Sequence, residues 1–160
     1  MPRKYTVGFD GQSLLNADGD IDIFEFDAAT DKPIAITGLV IRVTSELQEA
    51  QEEWLRLKWI RGHTTSGTGA PSSITPRPLS PNDAAAGFAC EILNDTIASA
   101  GTPVDVIPGE GLNVRNGYEA YYAPEDWIWT SGADLLVLRS TVAAADDITL
   151  SATAWVLEVP

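Results

Sequence analysis

Short runs of β-forming residues, each closed by Gly, Pro, Asn or Asp, recur along this chain at spacings of about 8–12 residues, which leaves little room for anything but antiparallel sheets. The clearest run is the last one. Ile148, Leu150, Ala152, Ala154 and Val156 alternate with Thr149, Ser151, Thr153, Trp155 and Leu157, the period-two pattern of a strand with one covered face. A run patterned so well is expected to be built into the sheet rather than to trail from it.

The same reading predicts strands at Lys4–Phe9, Ile21–Phe26, Ile34–Val43, Phe88–Leu93, Thr102–Ile107, Gly111–Arg115, Tyr118–Tyr122, Trp127–Trp129 and Leu135–Ser140. In Ile21–Phe26 the two isoleucines fall on one face and Phe24 with Phe26 on the other, as in a strand covered on both sides. Gly38 interrupts Ile34–Val43, and a bulge there would let Ile34 and Ile36 share a face with Leu39, Ile41 and Val43. Asp18-Gly19 and Asn116-Gly117 are hairpin signals. Thr44–Trp59 carries two patterns. Ser45 with Gln48 resembles a capping box and Leu47, Ala50, Trp54 and Leu57 lie at helical spacing, while Leu55, Leu57 and Trp59 alternate as in a strand. The expectation is a short helical turn over about Glu46–Glu53 running into a strand at Trp54–Arg61. The whole chain, 1–160, then reads as one all-β domain, an antiparallel β-sandwich or barrel.

One segment breaks the rhythm. His63–Asp83 holds four prolines and two glycines among many hydroxyl residues, a composition that predicts a long Pro/Gly/Ser/Thr-rich loop over about 62–87 with neither helix nor strand. Loops of such length in compact domains usually contact something, which points to function on a surface rather than in a catalytic pocket.

Ten basic residues against 23 acidic ones give a net charge of −13, which argues against nucleic acid as a partner, since counterion release needs a clustered basic surface. Arg56, Lys58 and Arg61 come closest, but they alternate with Leu55, Leu57 and Trp59 as the solvent face of a strand does. No run approaches the ~18 apolar residues of a membrane span, and no apolar stretch follows the basic start as in a signal peptide. A soluble product of a cytoplasm is expected. The single cysteine, Cys90, allows no internal disulfide and no thiolate zinc cluster.

For catalysis, the lone histidine, His63, would have to serve Ser66 or Cys90, and no Gly-x-Ser-x-Gly elbow accompanies it. A surface or loop-anchoring role is the simpler reading of His63, and a small buried hydrophobe that of Cys90. Asn16, Asp18, Asp20, Asp22 and Asp27 have spacings reminiscent of a calcium loop, but Ile21 stands where such a loop needs glycine, so a solvated turn is expected. Glu125 and Asp126 sit beside a crowd of rings, Tyr118, Tyr121, Tyr122, Trp127 and Trp129. Paired carboxylates beside rings occur in glycosidases, and an aromatic strip can bind sugar faces. The same residues equally fill cores and subunit contacts. No catalytic residue, metal or cofactor is assigned.

Ile60-Arg-Gly-His-Thr-Thr-Ser-Gly-Thr-Gly69, Thr75-Pro-Arg-Pro-Leu-Ser-Pro-Asn-Asp-Ala-Ala-Ala-Gly87, Glu91–Thr96 and the closing Thr149–Glu158 strand together resemble small virion proteins of tailed bacteriophages and prophages. The resemblance implies a capsid decoration, or cement, protein of jelly-roll type, a non-enzymatic homotrimer made in the host cytoplasm and carried on the virion. It implies the phage major capsid protein as partner and no cofactor, nucleic acid or membrane. Thr75, Pro76, Arg77, Pro78 and Leu79 are then candidates for the contact arm, because prolines favour extended backbone that docks at low entropic cost. Tyr121, Tyr122, Trp127 and Trp129 are candidates for a subunit interface. The alternative is a carbohydrate-binding sandwich, or a receptor-reading tip, using those same rings.

Overall fold

A computed structural model describes residues 1–45, 53–69, 73–132, 134–141 and 143–159. Twelve strands are present among them: β1 (Arg3–Leu14), β2 (Ile21–Asp27), β3 (Ile34–Val43), β4 (Trp54–His63), β5 (Ser73–Ile74), β6 (Arg77–Pro78), β7 (Ala89–Asn94), β8 (Val104–Asn113), β9 (Tyr118–Tyr121), β10 (Ile128–Thr130), β11 (Leu135–Ser140) and β12 (Ile148–Glu158). They form two antiparallel sheets, ordered β10-β3-β12-β1-β6, with β9 also on β3, and β5-β7-β2-β11-β4-β8. The chain is an all-β sandwich, as its turn spacing predicts. The expected helical turn at Glu46–Glu53 lies, except for Glu53, outside the described residues; the one helical turn described is a 3-10 turn at Pro124–Asp126.

A single buried cluster fills the space between the sheets. Phe26 sits at its centre, 6.4 Å from the rings of both Trp59 and Phe88 and 5.7 Å from Phe24. Strand β12 contributes Ile148, Leu150, Ala152, Ala154 and Val156, all buried, so its alternation holds. The bulge in β3 is also present: pairing with β12 slips between Trp155 and Val156, opposite Gly38 and Ile36, and Ile34, Ile36, Leu39 and Ile41 all reach the core. Glycine suits Gly38 because a Cβ there would lie 2.9 Å from the Tyr121 ring.

Several expectations change. Phe24 and Phe26 do not oppose Ile21 and Ile23. Pairing of β2 with β11 slips by one residue at Ile23, which turns all four side chains into the one core and leaves Asp22 and Glu25 on the other face. Strand β1 extends past Phe9 to Leu14 through a bulge at Asp10 and Gly11. The two strands expected over 102–115 are the single edge strand β8. Its position at the edge tolerates Pro108, which has no amide proton to donate. Asp18-Gly19 and Asn116-Gly117 do turn the chain, Gly117 N donating to Asn113 O at 2.7 Å, but neither makes a hairpin. Each joins strands of different sheets, β1 to β2 and β8 to β9, because two sheets that bury a common face outcompete local pairing.

The largest correction concerns the long loop, which is not structureless. Thr65 and Thr68 bridge to Ser99 and Thr96, so residues 64–69 and 96–102 form a small cover over the outer face of the second sheet. Ser73–Ile74 pairs with β7, and Arg77–Pro78 pairs with Tyr5 and Thr6 of β1. A proline can occupy that strand because it is the outermost one and its nitrogen need not donate to a further neighbour. The segment therefore crosses from one sheet to the other and is held at both.

Candidate functional site

Two surface regions collect the candidate residues, and one buried region collects the polar ones. The first surface is the arm. Leu79 N donates to Lys4 O at 2.9 Å, which with the Arg77–Thr6 and Pro78–Tyr5 pairing fixes the arm along β1. Thr75, Arg77, Pro78 and Leu79 remain exposed, Leu79 at 53%, and Pro76 is half-buried. Thr75 and Arg77 line a shallow cleft of about 280 Å³ with Thr6, Gly8, Phe9, Asp10 and Thr153.

The second surface holds the aromatic residues, which divide into three groups rather than forming one strip. Tyr118 and Tyr122 turn inward: the Tyr122 hydroxyl accepts from Trp59 Nε1 at 3.2 Å, and both phenols are pushed up by burial, Tyr118 further by its hydrogen bond to Tyr122. Tyr121 lies outside, 64% exposed, tilted against Trp155 at 5.4 Å. Trp127 and Trp129 face each other at 6.2 Å and 51°, so no flat coplanar platform exists. They instead line a cleft of about 440 Å³ with Arg61, Tyr122, Asp126 and the apolar side chains of Val106, Ile107 and Ile128. Trp127 Nε1 donates to Tyr122 O at 3.2 Å, which fixes that indole, and Arg61 donates to the Trp129 backbone carbonyl at 2.7 Å, which places the guanidinium beside β10. Sequence reasoning missed Arg61 and Trp155 here, because each comes from a strand distant in sequence.

The buried polar region lies beneath the 64–69 and 96–102 cover. Arg139 grips Asp22 through Nε to Oδ1 at 2.6 Å and a second nitrogen to Oδ2 at 3.1 Å, and donates to Ala98 O at 3.0 Å. Asp22 in turn accepts from Ala98 N at 2.7 Å. Glu25 accepts from the Ser66 hydroxyl, from Gly67 N at 2.9 Å and from Asn94 at 3.2 Å. These bonds tie both cover segments to the sheet. No sequence motif marks them: Asp22 reads as part of a solvated turn, and no local pattern singles out Glu25.

The remaining candidates take ordinary roles. His63 anchors the cover, with Nδ1 3.3 Å from Ala100 O, and Ser66 serves Glu25 rather than His63. Cys90 is buried in the core, where burial pushes its thiol up and the nearby Glu25 and Glu91 push it further. Of the calcium-like set, Asp22 belongs to Arg139 and Asp18 accepts from Leu15 N at 3.1 Å. Among the described residues no group of three or more His, Cys, Asp or Glu side chains is placed to hold a metal ion. Glu125 and Asp126 sit side by side on the exposed 3-10 turn rather than across a cleft from one another, which removes the geometry glycoside cleavage needs. Arg56 and Lys58 do alternate with buried Leu55, Leu57 and Trp59, but the pattern ends at Ile60, which is also buried after a register shift, and Arg61 lines the cleft instead. No helix among the described residues is long and apolar enough to cross a membrane. No family model, curated protein or solved structure matches the chain.

Proposed function

We propose that this protein is a structural component of a bacteriophage virion, a capsid decoration or head-surface protein that associates with itself as a trimer and binds the lattice of the major capsid protein. The arm carries the reading. Arg77–Pro78 forms the outermost strand of a sheet, pre-ordered with Leu79 by bonds to β1, and Thr75, Arg77, Pro78 and Leu79 are open to a partner. An extended segment already fixed in place loses little entropy on docking, and its prolines keep the exposed edge from recruiting stray strands.

The strand order supports a jelly roll in particular. The chain changes sheet at each step from β1 to β4 and again from β11 to β12, with β1, β12 and β3 adjacent in one sheet and β2, β11, β4 and β8 adjacent in the other, while β8 pairs with β4 inside the second sheet. That winding is shared by many viral capsid domains. The resemblance of the sequence to tailed-phage virion proteins points the same way. On this reading the protein works by shape and adhesion, is made in the host cytoplasm and resides on the virion.

The test is a mass in solution together with co-sedimentation on capsids lacking the protein. The reading expects a mass near three times 17.1 kDa and saturable binding to the capsids. Leu79→Asp should weaken capsid binding without changing the melting temperature. A monomer that ignores the capsids overturns the reading.

A further inference from the structure

Beside the 440 Å³ cleft lies a second, of about 310 Å³, lined by Pro33, Thr130, Ser131 and Asp134. The two share Arg61 and Trp129 as their common wall. The larger lies between the edge strand β8 and the turn entering β10, and the smaller beside the turn that leaves β10. Each volume falls within or at the edge of the roughly 300–1,000 Å³ typical of small-molecule sites.

We propose that this double cleft binds a short neutral oligosaccharide, one sugar ring in each depression, with the chain passing over Trp129. The inference stands independently of the virion reading, whose arm is a different surface.

Three observations select this ligand. Trp127, Trp129, Val106, Ile107 and Ile128 line the larger cleft, and Trp129 with Pro33 the smaller, and a pyranose presents an apolar C–H face that packs on such apolar side chains. The rim supplies Asp126 in one cleft and Asp134 with Ser131 in the other, acceptors suited to sugar hydroxyl donors. The charge also decides. Two carboxylates outnumber the single Arg61 guanidinium within a chain of net charge −13, which repels acidic glycans and admits neutral ones.

A peptide strand is the less fitting occupant. It would add to the β10 edge through backbone bonds, but the Trp129 carbonyl already accepts from Arg61 at 2.7 Å. That same bond holds the Arg61 guanidinium between the two clefts, and the one from Trp127 Nε1 to Tyr122 O holds the Trp127 indole, before any ligand arrives, which lowers the ordering cost of binding.

The experiment uses the full chain on an array of neutral oligosaccharides (glucans, galactans, N-acetylglucosamine oligomers) and acidic ones (uronates, sialylated and sulfated glycans), followed by titration read by tryptophan fluorescence. The expected result is binding of neutral oligosaccharides, tighter than that of their monosaccharides. Trp129→Ala should lower affinity by roughly tenfold, equivalent to about 1.4 kcal/mol, and Trp129→Phe by less. Tyr121→Ala, outside the clefts, should change nothing. Asp126→Asn, which preserves the shape of the floor, provides a second decrease if Trp129→Ala lowers the melting temperature.

The proposal is overturned if no neutral glycan alters the fluorescence at millimolar concentration, if only acidic glycans bind, or if the Trp129 and Asp126 variants bind like the parent. It is equally overturned if Trp129→Ala changes the solution mass, because the cleft is then a contact between copies of the chain.

Discussion

Arg139→Met tests whether the cover over the second sheet is held by charge. The substitution keeps length and apolar bulk while removing the guanidinium, leaving Asp22, fully buried, with a carboxylate that has lost both of its Arg139 bonds and keeps only the bond from Ala98 N. The Ala98 carbonyl loses a donor at the same time. Breaking one side of a buried ion pair costs about 3–5 kcal/mol, because the surviving charge stays desolvated and uncompensated. Against a typical domain stability of roughly 5–15 kcal/mol this is a large share. At roughly 2–4 °C per kcal/mol for a domain of this size, the melting temperature should fall by about 6–20 °C.

Urea unfolding measures the change directly, and the double variant Asp22→Leu with Arg139→Met provides the control. Removing both charges leaves only neutral groups such as the Ala98 amide unpartnered, a cost nearer about 1–3 kcal/mol, so the double variant should be more stable than Arg139→Met alone. In native-state hydrogen exchange the loss should appear first at Ser99 and Thr68, whose amides donate across the cover. A cost below about 1 kcal/mol for Arg139→Met, or a double variant whose cost equals the sum of the two single ones, would refute the reasoning.

Other outcomes follow from the same structure. Cys90, sealed in the core with its thiol raised by burial, should resist thiol reagents in the native state and react at the rate of unfolding; fast stoichiometric labelling of the folded protein contradicts its placement. Tyr118 and Tyr122 are raised above the ordinary phenol value of about 10, so the folded chain keeps protons that the unfolded chain releases. Stability should therefore decline as pH rises beyond about 10, and less steeply in Tyr118→Phe; phenolate absorbance from all tyrosines appearing near pH 10 without unfolding would count against it. Gly101 adopts φ +77°, and a Cβ there would meet Gly62 O at 2.2 Å. Gly101→Ala should lower stability by at least the roughly 1 kcal/mol of left-handed strain, and an unchanged urea midpoint would contradict this.

The sheets were legible in the chain because strand periodicity is local. A period of two in β12 or β4 needs no knowledge of the partner strand, and a bulge at Gly38 follows from where the aliphatic residues fall on either side of it. Turn residues also announced where the chain reverses. What they could not announce is which strand receives it: Asn116-Gly117 makes its turn, but β9 joins β3 and not β8, since the two sheets close over one core.

The sequence by itself determined the fold class, the positions of most strands and the burial of Cys90, all of which rest on patterns within a few residues. Tertiary structure alone decided the rest. The Pro-rich segment acquires strands only because β1 and β7 offer it open edges, and the aromatic crowd separates into core, surface and cleft only because Trp59, Trp155 and Arg61 arrive from other strands. Asp22 reads as part of a solvated turn and Glu25 carries no local signal, yet a one-residue slip at Ile23 places both beneath the cover, where they need Arg139, Ser66 and Asn94. Burial, pairing and cleft shape are properties of contacts far apart in the chain, and no local pattern encodes them.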